Sequence, residues 1–539
     1  MPDTKPRLLQ RIHRVGATSV TFLLALSACS LIPPLGGRDA TVAGVEPLEP
    51  PLTELPESAW EPREAPTFAP PSLLAHLRQN FELSYEENSR IRAERDWFVK
   101  HPDYLTRVFT RAQRHLPHIT AELARRDLPL DLALLPIVES AYDPFAYSHG
   151  RAAGLWQMIP GTATRFGIKQ NWWYDGRRDI VDSTRAALDY LEHLHKFNKG
   201  NWLNAIASYN SGEGNVRKAV RRNRAAGKPE DFFSLRLSKE TSTYVPRLLA
   251  LIDIVEDPAK YNVTLPYVID EPQFVIADIG SQLDLALAAE LAGVDVDTIY
   301  AFNPGYNRWS TDPQGPHTLV MPIDVAESFN AALVEVPTNE RVRWQRHKVA
   351  NNETISEIAL QYHTTITSIR AANNLRGNTI RAGHYLMIPV ATKPLTAYSK
   401  SADERLAKTQ NRQRADNKID HIVTNGESFW TISRRYGVTT RELAAWNGMA
   451  PGDTLPVGRK LVVWTNADVA PRTSPTAALG NTTRKLNYTV RNGDSLYLIA
   501  SRFRVTINQL ARWNNIDKNK ILRPGQRLTM YVDVTRQSS

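Results

Sequence analysis

One pattern of about 45 residues occurs three times in the last part of this 539-residue chain. Each copy reads strand, turn, helix, turn, helix, loop, strand. The first is His347-Lys348-Val349, then NNETISEIALQYHTTITSIRAANNL and AGHYLMIP. The second is His421-Ile422-Val423, then NGESFWTISRRYGVTTRELAAWNGM and VGRKLVVW. The third is Tyr488-Thr489-Val490, then NGDSLYLIASRFRVTINQLARWNNI and PGQRLTMYV. A period of this size means an array of small α+β units. Ile358, Ile432 and Ile499 match as core positions, as do Ile369, Leu443 and Leu510. Asn373, Asn447 and Asn514 follow the second helix, where they can cap it or turn the chain. Asn352 stands where the other copies have Gly426 and Gly493; asparagine tolerates a left-handed turn, so the fold is kept. Residues 274–323 share the element order, with Asn303 and Pro322 in matching places. The α+β region 263–340 is thus a candidate degenerate fourth copy.

The three units, 346–390, 420–464 and 487–532, closely resemble LysM domains. The resemblance implies a βααβ fold that binds glycans containing N-acetylglucosamine. The ligand groove would lie along the loop after the first strand and the loop between second helix and second strand. Carried over, it implicates Gly426, Glu427 and Ser428 with Asn447, and Gly493, Asp494 and Ser495 with Asn514. A purely structural role stays open for each of these. The polar stretches between copies, KPLTAYSKSADERLAKTQNRQRADNK and NADVAPRTSPTAALGNTTRK, lack apolar spacing and read as linkers.

The chain has one cysteine, Cys29, which excludes intramolecular disulfides and cysteine metal sites. Residues 1–28 read as a signal peptide: Lys5, Arg7, Arg11 and Arg14 precede the apolar TFLLAL. Leu26-Ser27-Ala28-Cys29 resembles a bacterial lipobox, which implies cleavage before Cys29 and lipidation there. An ordinary secretory signal is the alternative. Ser30, rather than Asp, follows the cysteine, and the resemblance then points to an outer-membrane lipoprotein facing the periplasm. Residues 29–71, rich in Pro and Glu, read as a disordered tether. No second segment is long and apolar enough to span a bilayer. The net charge of +10 favours a polyanionic partner such as an anionic wall polymer. No nucleic-acid-binding pattern, HExxH pair or P-loop occurs, so no nucleic acid, metal or cofactor is expected. Oligomeric state leaves no signal.

Residues 72–128 form an N-terminal helical region, with Pro102 and Pro117 at helix starts. Residues 129–262 carry the chemistry. The apolar run ALLPIV ends at Glu139-Ser140. A carboxyl at the end of such a run is raised by burial, as a general acid at neutral pH requires. Taken alone, Glu139 could equally cap or pair at a helix end. Three further features follow it in order: Gly154-Leu155-Trp156-Gln157 with Pro160 and Thr162; Ser208-Tyr209-Asn210-Ser211-Gly212; and Glu240-Thr241-Ser242-Thr243-Tyr244-Val245-Pro246. Together they resemble the soluble-transglycosylase-type lytic transglycosylases, which are related to goose-type lysozyme.

The fold class expected is therefore α+β multidomain: a mostly helical, lysozyme-like catalytic domain followed by small βααβ LysM units. The resemblance implies cleavage of the β-1,4 bond from N-acetylmuramic acid to N-acetylglucosamine in peptidoglycan glycan strands. It implies Glu139 as the one acid and base, with Ser140, Gln157, Tyr209, Asn210 and Tyr244 around the substrate. The C6 hydroxyl would close a 1,6-anhydro ring, unlike the two-carboxylate scheme of most glycosidases. Asp143 and Asp175 are the nearest further carboxylates in sequence and are expected to be structural or substrate-positioning. Trp156 and Tyr142 are candidate cleft walls or core residues. Two rivals are a water-using hydrolase of the same fold and a non-catalytic wall-binding lipoprotein.

Overall fold

Short polar side chains and prolines set where the helices begin. Asn88 accepts from the amides of Arg90 and Ile91, Asp179 from Val181 and Asp182, and Ser238 from Thr241. Pro102, Pro117, Pro136 and Pro160 sit in first turns, where the missing N–H has no intrahelical partner to lose. The computed structural model describes residues 71–466, 483–490 and part of the stretch 494–533. The signal peptide, Cys29 and nearly all of the expected tether lie outside the described residues, as does most of the second linker, whose residues 483–485 open a strand instead.

Among the described residues, ten α-helices precede the first sheet: α1 (Leu73–Gln79), α2 (Ser89–Lys100), α3 (Pro102–Ala112), α4 (Leu116–Arg125), α5 (Leu135–Ser140), α6 (Pro160–Arg165), α7 (Ile180–Phe197), α8 (Trp202–Ser211), α9 (Glu213–Ala225) and α10 (Lys239–Glu256). Pro136 divides the run expected as one helix into a 3-10 turn, Leu130–Leu134, and α5. Helix α10 is apolar on nearly every side, and packs against α1, α2, α5 and α8. Its Tyr244, Val245, Leu248, Leu249, Leu251 and Ile252 join the core that also buries Leu134, Ile137 and Leu155. The helix bearing Glu139 is therefore held against the core of this helical region.

Next comes an antiparallel pair, β1 (Phe274–Asp278) with β2 (Thr318–Pro322), enclosing α11 (Leu285–Ala292) and α12 (Val296–Phe302). The described repeats do the same: β3 (Arg343–Lys348) pairs with β4 (Tyr385–Val390), Asn417–Ile422 with Lys460–Thr465, and Thr483–Thr489 with Arg527–Asp533. A two-stranded ribbon is marginal alone, so each unit relies on its helices for a core. One device recurs in all four. Asn303 Nδ2 donates to the Ile299 and Val320 carbonyls, and its Oδ1 accepts from Val320 N. Asn373 ties Ile369 to Met387, Asn447 ties Leu443 to Val462, and Asn514 ties Leu510 to Thr529 in the same way.

The first linker is a correction. Residues 391–411 form an ordered strap, ending in a helix, Ala402–Asn411. The Tyr398 hydroxyl donates to the Asp284 carboxylate at 2.9 Å, and Thr392 N donates to the same group at 2.9 Å. Asp284 is fully buried. Leu395 and Tyr398 pack into the core of the 274–333 unit. Polarity of the segment hid this, because single anchors do the work that periodic apolar positions do elsewhere. That same core takes in Trp173 and Tyr174 from the loop before α7.

Candidate active site

Helix α5 ends abruptly. Ala141 and Tyr142 both have positive φ, so the chain turns off sharply after Ser140 and presents Glu139 at the last turn. The Tyr244 hydroxyl, from α10, donates to Glu139 Oε1. Glu139 is part-buried. Loss of solvent around the carboxyl pushes its pKa from 4.5 to about 8; the Tyr244 bond opposes that rise and the charge of Glu240 adds to it. Tyr244 and Tyr209 are themselves held well above the ordinary tyrosine range, first by burial and then by the charge of Glu139.

The 154–157 motif is locked around this group. Ser140 is buried and donates to the Leu155 carbonyl at 2.9 Å, fastening α5 to the motif rather than touching the Glu139 carboxyl directly. Gly154 has φ +80, and a Cβ there would lie 1.9 Å from the Arg177 carbonyl. Only glycine fits. Gln157 donates to the Gly154 carbonyl at 2.8 Å. The Tyr209 hydroxyl donates to the Trp156 carbonyl at 2.8 Å. Asn210 accepts from Thr241 Oγ1 at 2.8 Å and donates to Glu240 at 3.4 Å, so α8 is joined to the start of α10. Backbone and side-chain bonds thus link the neighbourhoods of Glu139, Ser140, Gln157, Tyr209, Asn210 and Tyr244.

Two aromatic candidates belong to the core. Trp156 is fully buried, its Nε1 donating to Thr184 Oγ1 at 3.0 Å, and Tyr142 is buried with its hydroxyl on the Ala133 carbonyl. Asp175 is enclosed by Arg177 at 2.8 Å and Arg178 at 2.7 Å. Burial raises its pKa, but those bonds and charges outweigh it and leave the group below its ordinary value. Asp143 accepts from Phe145 N and is raised by burial. Sequence reasoning placed Glu240 and Thr241 in a motif without a role, and did not single out the Arg177 carbonyl as the wall that demands Gly154.

In the second repeat, Gly426 has φ +84, and Ser428 caps its helix by accepting from Thr431 N. Glu427 faces inward: its carboxylate accepts from Thr424 N at 2.8 Å and contacts His421 at 2.9 Å and Arg435 at 2.7 Å. Burial works against ionisation, but these bonds hold its pKa down at about 2. Asn447 is 1 % exposed and fully used in its clamp. Glycan contact at Glu427 or Asn447 would therefore come through the backbone, not the side chain. In the third repeat Asn514 is clamped likewise and Asp494 accepts from the Tyr488 hydroxyl. Gly493 and Ser495 lie outside the described residues. Among the described residues there is no acidic, histidine or cysteine cluster suited to a metal ion, and no helix is long and apolar enough to cross a membrane.

Residues 118–232 match the Transglycosylase SLT domain, 347–389, 421–464 and 488–530 match the LysM domain, and 273–338 match the domain described as "Lytic transglycosylase MltD, LysM-like domain". The membrane-bound lytic murein transglycosylase D of Escherichia coli (strain K12) is 34 % identical over 401 residues, which is 71 % of this chain and 84 % of that one. The chain belongs to the membrane-bound lytic murein transglycosylase D family. It is a lytic transglycosylase, with a helical SLT region followed by βααβ LysM units. The autolysin of Enterococcus faecalis (strain ATCC 700802 / V583) is 29 % identical over 184 residues, 34 % of this chain and 24 % of that one. The lytic transglycosylase Slt of Pseudomonas aeruginosa overlaps 28 % of this chain and 26 % of that one at 25 % identity, with a TM-score of 0.21.

Proposed function

We propose that this chain cleaves the β-1,4 bond between N-acetylmuramic acid and N-acetylglucosamine in peptidoglycan, with Glu139 as its one general acid and base. The observation that carries this reading is the carboxyl itself: raised to about 8, and bonded by the Tyr244 hydroxyl. At neutral pH this group holds the proton that the glycosidic oxygen must receive. Once that proton has gone, the carboxylate accepts one from the muramoyl C6 hydroxyl, and the C6 oxygen closes on C1 to give the 1,6-anhydro product. The muramoyl N-acetyl group assists from within the substrate. No water is consumed, and Glu139 ends protonated as it began.

The surroundings support a single-carboxyl scheme. Asp175 is spent on two arginines, and Asp143 on a backbone amide. Glu240 is exposed and bonded by Asn210. Gln157 and Asn210 are the amides nearest to hand for N-acetyl groups, Tyr209 lines the cleft, and Ser140 positions Glu139 through Leu155. The LysM units hold the enzyme on the wall, with Gly426, Ser428 and the backbones at Glu427, Asn447, Asp494 and Asn514 as glycan contacts. The lipobox-like sequence at Cys29 supports a lipid anchor on the outer membrane, facing the periplasm. The domain limits proposed are those of the sequence reading, with residues 391–411 added as a structural strap.

Mass spectrometry of glycan released from purified sacculi tests the reaction. Products with anhydro ends are expected. Products carrying added water, with no anhydro ends, would make the enzyme a hydrolase.

A further inference from the structure

The second LysM unit does not hang free. Its loop between the helix Thr440–Trp446 and the strand Lys460–Thr465 meets the catalytic unit at the turn 147–152. Arg151 Nε lies 2.5 Å from Asp453 Oδ1, and Arg151 also donates to the Gly452 carbonyl. Arg441 donates to His149 at 3.1 Å. Asp453 is pinned within its own loop, its Oδ2 accepting from Ala450 N at 2.8 Å. The strap helix also holds the unit, Gln410 Nε2 donating to Asn447 Oδ1 at 2.9 Å. Arg405 of that helix lies 4.7 Å from the Phe145 ring centroid, so the strap grips the turn as well.

The turn leads directly to the 154–157 motif. The Ala146 carbonyl accepts from Gly154 N at 3.1 Å and from Gln157 Nε2 at 3.4 Å. The next residue, Tyr147, is 37 % exposed, one of few large aromatics left open on the catalytic unit. Arg178 lies 5.9 Å from its ring centroid, and the charge of Asp453 reaches its hydroxyl, after burial the largest influence raising its pKa. An aromatic with one open face and a polar tip suits a pyranose, whose apolar ring face and hydroxyl edge it matches.

We propose that this seam is a sugar-binding bridge: one β-1,4 N-acetylated glycan strand lies on the second LysM unit, passes over Tyr147 and enters the cleft beside Gln157, with the Arg151–Asp453 pair holding the two surfaces in register. Two sites on one strand at fixed spacing gain effective concentration that two loosely joined sites do not. This inference rests on the glycan-cleaving function proposed above, and it applies to long strands alone, since a short oligosaccharide fills the cleft without reaching the seam.

The test compares KM on long peptide-free glycan strands with KM on a short oligosaccharide, using the full chain. Asp453→Arg is expected to raise KM for long strands about fivefold, the upper range for one part-exposed ion pair, and to leave the short substrate unchanged. Arg151→Asp does the same, and the double exchange restores the wild-type ratio of the two KM values. Tyr147→Ala raises KM for long strands without restoration by either exchange. Equal change on both substrates, no change on either, or failure of the double exchange to restore the ratio would each overturn the bridge. Wild-type turnover of the short oligosaccharide reports separately on the proposed chemistry.

Discussion

At the scale of single residues, the site rests on one proton. Glu139→Gln keeps the shape of the side chain but cannot give a proton, so turnover should fall by about 10²–10⁴. Release of anhydro products from sacculi measures it, and unchanged release would remove Glu139 from the reaction. A second outcome concerns pH. The general acid must be protonated, so kcat/KM should decline as pH rises through about 8. The Tyr244 hydroxyl favours the ionised form, so Tyr244→Phe should move that alkaline limb upward. A limb that stays put, or moves down, contradicts the assignment. Stability follows the same proton. Between 4.5 and about 8 the folded carboxyl holds a proton that the unfolded one has lost, so this group's contribution to stability falls as pH rises across that window. Glu139→Gln escapes the penalty, and its Tm advantage over the wild type should grow from pH 5 to pH 9. Glu139 stands out in the chain as a candidate because three ordered motifs accompany it. The environments of Trp156 and Tyr142 are not legible there, because an aromatic beside a catalytic motif reads the same whether it faces the cleft or the core.

At the scale of elements, small residues decide how segments meet. A methyl group on Gly154 would strike the Arg177 carbonyl, which is backbone and cannot swing away. Gly154→Ala should therefore displace the 154–157 motif, costing about 2–4 kcal/mol of stability and most of the activity, as strained, overpacked backbone does. Chemical denaturation with parallel turnover checks both. The asparagine clamp is the counterpart in the repeats. Asn447→Ala leaves the Leu443 and Val462 groups without a partner inside the fold. Loss of stability in the second LysM unit of about 2–3 kcal/mol is expected, read as an earlier unfolding transition in calorimetry. The βααβ order was visible from periodicity, and so was the recurrence of the asparagine. Its inward direction was not, since capping, turning and ligand binding all favour the same residue type after a helix.

At the scale of the whole molecule, the sequence suggested modules on flexible linkers, and the structure joins several of them. Trp173 and Tyr174 of the SLT region enter the core of the 274–333 unit, the Trp309 indole donates to the His363 carbonyl of the first repeat, and the strap returns to Asp284. No periodic signal announces such contacts, because each depends on one side chain meeting a partner far along the chain. A pair of truncations separates the two pictures. A chain ending at Val390 loses Thr392 and Tyr398, leaving the buried Asp284 carboxylate with only the amides of its own helix. A chain ending at Arg412 keeps both partners and the Arg405 contact with Phe145. Each unpaired buried partner costs about 1–3 kcal/mol, which lowers Tm by roughly 4–8 °C per kcal/mol in a unit of this size. The shorter chain should thus melt several degrees below the longer one in the transition of the 274–333 unit, although the residues removed lie far from Asp284 in sequence. Loose linkers would give both chains the same Tm there.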